Sequence, residues 1–199
     1  MNQHFCSVDD FRSYIKANPN ILIGTLGPVG TSCDHTINFL LDGLDTQGQC
    51  KVLINHFDDI YHSLLDGNVD IAMIPAAYSD VTRFFWSTEL CIIGSVIYKT
   101  PDYHFTRASG ATNISRIATC TAVKHMLEKQ FLHCLNAPYE VIIGPSTLAA
   151  SKEVMKGNAD ACITNDGGLK NTDLEVMHTQ KGVDMSWLFF RKQPSTKFS

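Results

Sequence analysis

Two hydroxyl pairs, Thr31-Ser32 and Ser146-Thr147, stand where the chain turns from strand to helix. A hydroxyl at a helix start accepts a bond from the N–H groups of the first turn and still has a proton to donate. The helix terminus adds unpaired N–H groups and about half a positive charge, so a carboxylate binds there without a cluster of cations. Binding of a small anion is the chemistry these pairs point to, although either pair alone serves equally as an ordinary cap. Other reactive side chains are scattered. Tyr78 is a phenol able to donate a proton directly or through water, Arg107 and Lys124 are candidate carboxylate partners, and Asp34 and His35 lie just inside the first helix or at its surface. His56 and His62 fit no metal spacing, and the eight histidines stand singly. Seven cysteines make an odd set without a C-x-x-C pair, so neither zinc nor a disulfide framework is expected, and Cys33 and Cys120 should stay reduced. Cys91 and Cys162 sit in apolar runs as small hydrophobes. No metal and no organic cofactor are expected.

The elements that must position these residues repeat. Ile21–Leu26 reads as a buried strand, Gly27 to Gly30 as a turn, and a helix follows with an apolar stripe of Ile37, Phe39 to Leu41 and Leu44. A strand at Lys51–Asn55, a helix opening at Asp58-Asp59 and a helix stop plus strand over Gly67–Pro75 complete the first series. The same order returns as strand Ser115–Thr119, helix Ala122–Leu135, strand Tyr139–Ile143, the Ser146-Thr147 cap and Gly157–Thr164. Gly67, Asn68 and Asp70 recur as Gly157, Asn158 and Asp160, each 90 residues on. Leu90–Tyr98 and Tyr103–Arg107 read as strands, and Val183–Arg191 brings the chain back. These patterns predict an α/β chain of two similar lobes with a ligand cleft between them, lobe 1 over 1–100 and 176–199, lobe 2 over 101–175. The segment from Gln193 to Ser199 should fray.

Composition narrows the partners. A net charge of −4 with no basic block gives no footprint for nucleic acid or anionic membrane, and no apolar run reaches the ~18 residues of a membrane span. The polar stretch from Met1 to Tyr14 does not read as a signal peptide, so a cytoplasmic location is expected.

Gly27-Pro28-Val29-Gly30-Thr31-Ser32, Gly67–Pro75 and Ser146-Thr147-Leu148-Ala149-Ala150, in that order, resemble segments of prephenate dehydratase domains, over Ile21 to Arg191. The resemblance implies a two-lobed, type II periplasmic-binding-protein-like fold. Dehydratases follow the proline equivalent to Pro75 with one residue and then Glu-Asn-Ser, whereas Pro75 here precedes Ala76-Ala77-Tyr78-Ser79. Where they carry Thr-Arg-Phe on the returning strand, this chain reads Met185-Ser186-Trp187-Leu188-Phe189, and Thr82-Arg83-Phe84 comes too early to replace it. Gly-Thr-Ser in the first loop, Ala-Tyr after the proline and Met-Ser-Trp on the last strand are instead similar to the prephenate decarboxylases of bacilysin and related antibiotic pathways. Two places depart from those as well: Cys33 replaces a serine, and Thr119-Cys120-Thr121 stands at a Ser-His-Pro.

The resemblance implies a cofactor-independent carbon–carbon lyase that decarboxylates prephenate and keeps its ring hydroxyl. Tyr78 and Trp187 would be catalytic, with Phe189 beside them as an apolar wall. Thr31, Ser32, Thr121, Ser146, Thr147 and Arg107 would bind a small dicarboxylate substrate, and a homodimer is left open. A cytosolic module that senses an amino or keto acid, and an ordinary prephenate dehydratase, are the alternatives.

Overall fold

The computed structural model describes residues 4–45, 50–135 and 138–194. It divides into two compact units, one of Met1–Pro28, Cys33–Lys99 and Asp184–Ser199, the other of Val29–Ser32 and Thr100–Val183. The predicted boundary put residues 176–183 and the first loop in lobe 1. Both belong to the second unit.

The first unit opens with α1 (Val8–Ala17), capped by Ser7, which accepts the Asp10 N–H at 3.1 Å. Its apolar residues Phe11 and Ile15 are buried, a stripe too sparse to stand out in the sequence. β1 (Ile23–Leu26), α2 (Ser32–Leu41), β2 (Lys51–Ile54), α3 (Phe57–Asp66) and β3 (Ile71–Pro75) follow as predicted, then α4 (Thr82–Trp86) and β4 (Leu90–Lys99). Gly67 ends α3 in the left-handed conformation at φ 76°, and its repeat partner Gly157 does the same at φ 78°.

The second unit holds β5 (Tyr103–Arg107), β6 (Arg116–Thr119), α5 (Met126–Lys129), β7 (Glu140–Ile143), α6 (Thr147–Met155), β8 (Ala161–Asn165), α7 (Asp166–Leu169) and β9 (Glu175–Gln180). β10 (Asp184–Lys192) then returns to the first unit. One sheet has the order β2-β1-β3-β10-β4 and the other β7-β6-β8-β5-β9. In each, the first three strands are parallel and the fourth runs antiparallel to the third. β3 and β8 keep the step of 90 from end to end, 71 to 161 and 75 to 165. β9, which the sequence did not announce, takes the place in its sheet that β4 has in the other.

The helix predicted over Ala122–Leu135 is three short pieces: a 3-10 turn at Thr121–Val123, the single turn α5, and a 3-10 turn at Leu132–Cys134. Thr121, Val123, His125, His133 and Cys134 are poor helix formers, and the N–H groups of Gln130 and Phe131 both close on the Met126 carbonyl, which ends the helical ladder. Val123, Met126, Leu127 and Phe131 still reach the core, so the apolar spacing was right and the continuous helix was not. At the C-terminus, Gln193 is bonded through its N–H to Glu89 and through its side chain to Leu90, so the predicted fraying does not begin there; 195–199 lie outside the described residues.

Candidate functional site

In sheets of this kind the loops at the carboxyl ends of the parallel strands carry ligand chemistry. At that end of β7, Ser146 caps α6: its Oγ accepts the Ala149 N–H at 3.1 Å, leaving its hydroxyl proton to donate. Ser146 and Thr147 are both 7% exposed. At that end of β6, the Cys120 thiol lies against the N–H groups of Val123, Ala122 and Thr147; burial pushes the thiol up and these bonds only partly offset it. Thr121 follows it, exposed at the start of the 3-10 turn.

The first loop, Val29–Ser32, is seated in this same unit. Gly30 has φ 95°, which a side chain would strain, and its carbonyl accepts the Asn165 side-chain N–H at 3.1 Å. Gly167 packs directly on Gly30, so that a Cβ there would collide with Gly30 backbone atoms. The Ser32 hydroxyl meets the Tyr103 hydroxyl at 3.0 Å. Thr31 is 2% exposed. Four predicted substrate residues, Thr31, Ser32, Ser146 and Thr147, therefore share one compact unit with Asn165 and Tyr103, which sequence reasoning missed. A signal for Asn165 existed: the step of 90 puts it at the position of Pro75, the residue on which the family pattern turns.

Arg107 is corrected by strand register. Tyr103 pairs with Asn165, but Arg107 pairs with Ala161 at the other end of β8, about 13 Å along the strand. There it is taken up by Glu175, with Nε to Oε2 at 2.9 Å. Trp187 is corrected by burial: the indole is 1% exposed, opposite Pro75 in β3, and donates to the Tyr98 carbonyl at 3.1 Å. Phe189 is likewise wholly buried, edge-on to Phe5. Both are core residues of the first unit and present no wall to a ligand.

Tyr78 follows β3 and stacks on Phe57 with ring centroids 4.1 Å apart. Burial, then the charges of Asp58 and Asp80, raise the phenol above its ordinary value, and it is hydrogen-bonded to Asp58. Asp58 also pairs with Arg83, whose guanidinium lies over the Tyr61 ring at 4.1 Å. An acid and a guanidinium thus stand beside Tyr78, each engaged by the other. Asp34 is not at the surface: it is 3% exposed and accepts from Lys51 at 2.7 Å, with Asn38 bridging the two. All seven cysteines are free thiols. Among the described residues, no cluster of three His, Cys, Asp or Glu side chains could hold a metal, and no helix is long and apolar enough to cross a membrane.

A prephenate decarboxylase from Planktothrix agardhii (strain NIVA-CYA 126/8) is 32% identical over 185 residues, covering 87% of this chain and 89% of the relative. The chain belongs to the prephenate decarboxylase family. No family model matches it. Among solved structures, prephenate dehydratase from Arthrobacter aurescens superposes with a TM-score of 0.61 at 17% identity, over 88% of this chain and 61% of that one. The periplasmic domain of BvgS from B. pertussis gives 0.55 at 10% identity, over 96% of this chain and 41% of that one. At such identities the likeness is one of fold, and it makes this family member a periplasmic-binding-protein-like α/β protein. Its departures from that family's pattern remain visible: Cys33, buried in α2, and Cys120, turned inward against helix N–H groups.

Proposed function

We propose that this chain decarboxylates prephenate without aromatising the ring, releasing a dihydro-hydroxyphenylpyruvate keto acid. Membership of the prephenate decarboxylase family, at 32% identity across nearly nine-tenths of both chains, is the observation that carries this reading. In the reaction the bond from ring to carboxyl carbon breaks and carbon dioxide leaves. The electron pair moves into the diene, and a ring carbon takes a proton while the hydroxyl stays. The proposed binding groups are Thr31 and Ser32 on the first loop, Thr121, and Ser146 and Thr147 at the start of α6, joined by Asn165 and Tyr103. They are uncharged donors, suited to carboxylates through hydroxyl protons and helix N–H groups. Tyr78 is the proposed proton donor. Retention of the hydroxyl is supported by the pairing of Asp58 with Arg83, which occupies the acid and the guanidinium that would otherwise assist a departing hydroxide.

The test is incubation of the protein with prephenate while ultraviolet absorbance and carbon dioxide are followed. Carbon dioxide with a non-aromatic keto acid is the expected result. Phenylpyruvate would make the chain a dehydratase, and binding without turnover would make it a sensor.

A further inference from the structure

We infer that His104 is a positioning residue for the substrate loop, acting through Asp166 and α7 on Gly30. The inference deepens the proposed function and rests on it in one respect only, that the loop carrying Thr31 and Ser32 binds substrate. His104 lies on β5 next to Tyr103, and successive residues of a strand point to opposite faces. Tyr103, packed on the cluster that contains Phe105, meets the Ser32 hydroxyl directly. His104 points to the other face, where its Nε2 lies 3.0 Å from Asp166 Oδ1 and its Nδ1 2.9 Å from Thr179 Oγ1. Two consecutive residues thus hold one loop from two sides.

The relay is short. Asp166 is the first residue of α7, and Asn165 before it accepts the Gly168 N–H at 3.1 Å while donating to Gly30. Gly167 forms the floor under Gly30. A four-residue helix containing Gly167-Gly168 has little helical stability of its own, so its place is set by what holds its ends. Asn165 holds it from within, and His104 from the sheet.

His104 is 7% exposed, whereas the Asp166 side chain is 60% exposed. A polar contact with one member in solvent adds little to global stability, so breaking it acts on where α7 sits. The other charges near the ring are Asp102 and Lys181, which pair with each other at 2.8 Å. A carboxylate can only accept, so His104 Nε2 donates to Asp166, while the Thr179 hydroxyl serves Nδ1 with or without a proton. The contact therefore survives either charge state of the ring.

The experiment compares His104→Phe, His104→Gln and Asp166→Ala with the parent chain by steady-state kinetics on prephenate, by thermal melting, and by amide exchange of residues 27–32. Gln can donate to Asp166 and accept from Thr179; Phe can do neither. His104→Phe and Asp166→Ala should each raise KM about ten-fold with kcat within about three-fold, and the double variant should do no worse than either single. His104→Gln should keep KM near the parent value. Loop exchange should quicken in the first two and not in the third. Unchanged KM and exchange in Asp166→Ala, whose side chain is 60% exposed, would overturn the inference. So would effects that multiply in the double variant, or a loss in His104→Phe that Gln does not rescue. If the parent chain leaves prephenate untouched yet loop exchange still responds, the functional reading fails and the role of His104 stands.

Discussion

At the carboxyl edge of the first sheet, the side chains with chemistry are titratable and already engaged: Tyr78 with Asp58, and Asp58 with Arg83. At the same edge of the second sheet the groups around the first loop are uncharged, with Ser146 on its cap, Asn165 on Gly30 and Tyr103 on Ser32, and the titratable pair there, His104 with Asp166, lies on the far side of Asn165. The two sheets share strand order, and β3 and β8 a step of 90 residues, so this contrast comes from side chains placed on one architecture twice. Neutral donors hold an anion in several orientations at little desolvation cost, whereas paired charges are fixed and can move a proton. Under the proposed function, Tyr78 of the first unit handles the proton and the hydroxyls of the second unit hold the ligand.

The sharpest way to break that assignment is Tyr78→Phe, which removes one oxygen and keeps the stack on Phe57. A positioned general acid contributes ~10²–10⁴-fold, so kcat should fall by ~10³-fold with KM little changed. Because burial and Asp58 hold the phenol above its ordinary value of 10.0, the proton stays on at neutral pH, and the midpoint of any fall in kcat caused by this group should lie above pH 10. A kcat within three-fold of the parent would reduce Tyr78 to a packing residue. Next in size is Gly167→Ala, which pushes on Gly30 and displaces the first loop. A shift of ~1 Å at a positioning element lowers rate by roughly 10²-fold, and kcat/KM should fall by about that much without a change of product. Phenylpyruvate from this variant would mean that loop position, and not the engagement of Asp58 and Arg83, decides whether the hydroxyl stays.

A third comparison concerns stability. Asp160 accepts from the Ser115 N–H and hydroxyl and from the Arg116 N–H and guanidinium, at 2.8–3.0 Å. Its repeat partner Asp70 accepts the Leu22 N–H at 2.8 Å. Desolvation works upward on Asp160, but these bonds win and hold its carboxyl well below the usual range. Asp160→Asn should cost about 2 kcal/mol in urea melts at neutral pH. A depressed carboxyl contributes stability above its unfolded value of about 3.9 and loses it as pH falls toward the folded value, so the gap between parent and variant should close below pH 4. A gap that widens in acid would contradict the assignment.

How much of this was legible in the sequence follows from the range of the interactions. The repeat was legible because helix stops and buried strands are local: Gly67 and Gly157 each end a helix, and Asp70 and Asp160 each hold the backbone at the start of the middle parallel strand of their sheet, β1 or β6. The cap at Ser146 was legible for the same reason. Arg107 was misplaced because only antiparallel pairing with β8 decides which end of the sheet it faces, and pairing across 54 residues leaves no local mark. Trp187 read as a wall because a large aromatic at a family motif suits a pocket or a core equally. β9 escaped notice because an edge strand needs no continuous apolar run, and Asn165 because the repeat was not followed one residue past Thr164.

Ser146→Ala is the smallest of these effects and bears most directly on the ligand-holding half of the contrast. Losing the cap on α6 removes one side-chain bond, to the Ala149 N–H, and typically costs ~1 kcal/mol of stability. If Ser146 only caps, the matching loss at Ser7, which caps α1 in the first unit through Asp10, should look the same in a melt, and neither should touch catalysis. If Ser146 also donates its hydroxyl proton to a substrate carboxylate, Ser146→Ala should raise KM a further five- to ten-fold, since one such bond contributes ~1 kcal/mol. Ser7→Ala should then leave KM alone. Ser146→Thr retains both the oxygen and the proton and should restore KM. Equal melting losses with equal kinetics at the two caps would leave α6 a helix like any other, and the second unit would lose its claim to hold the anion.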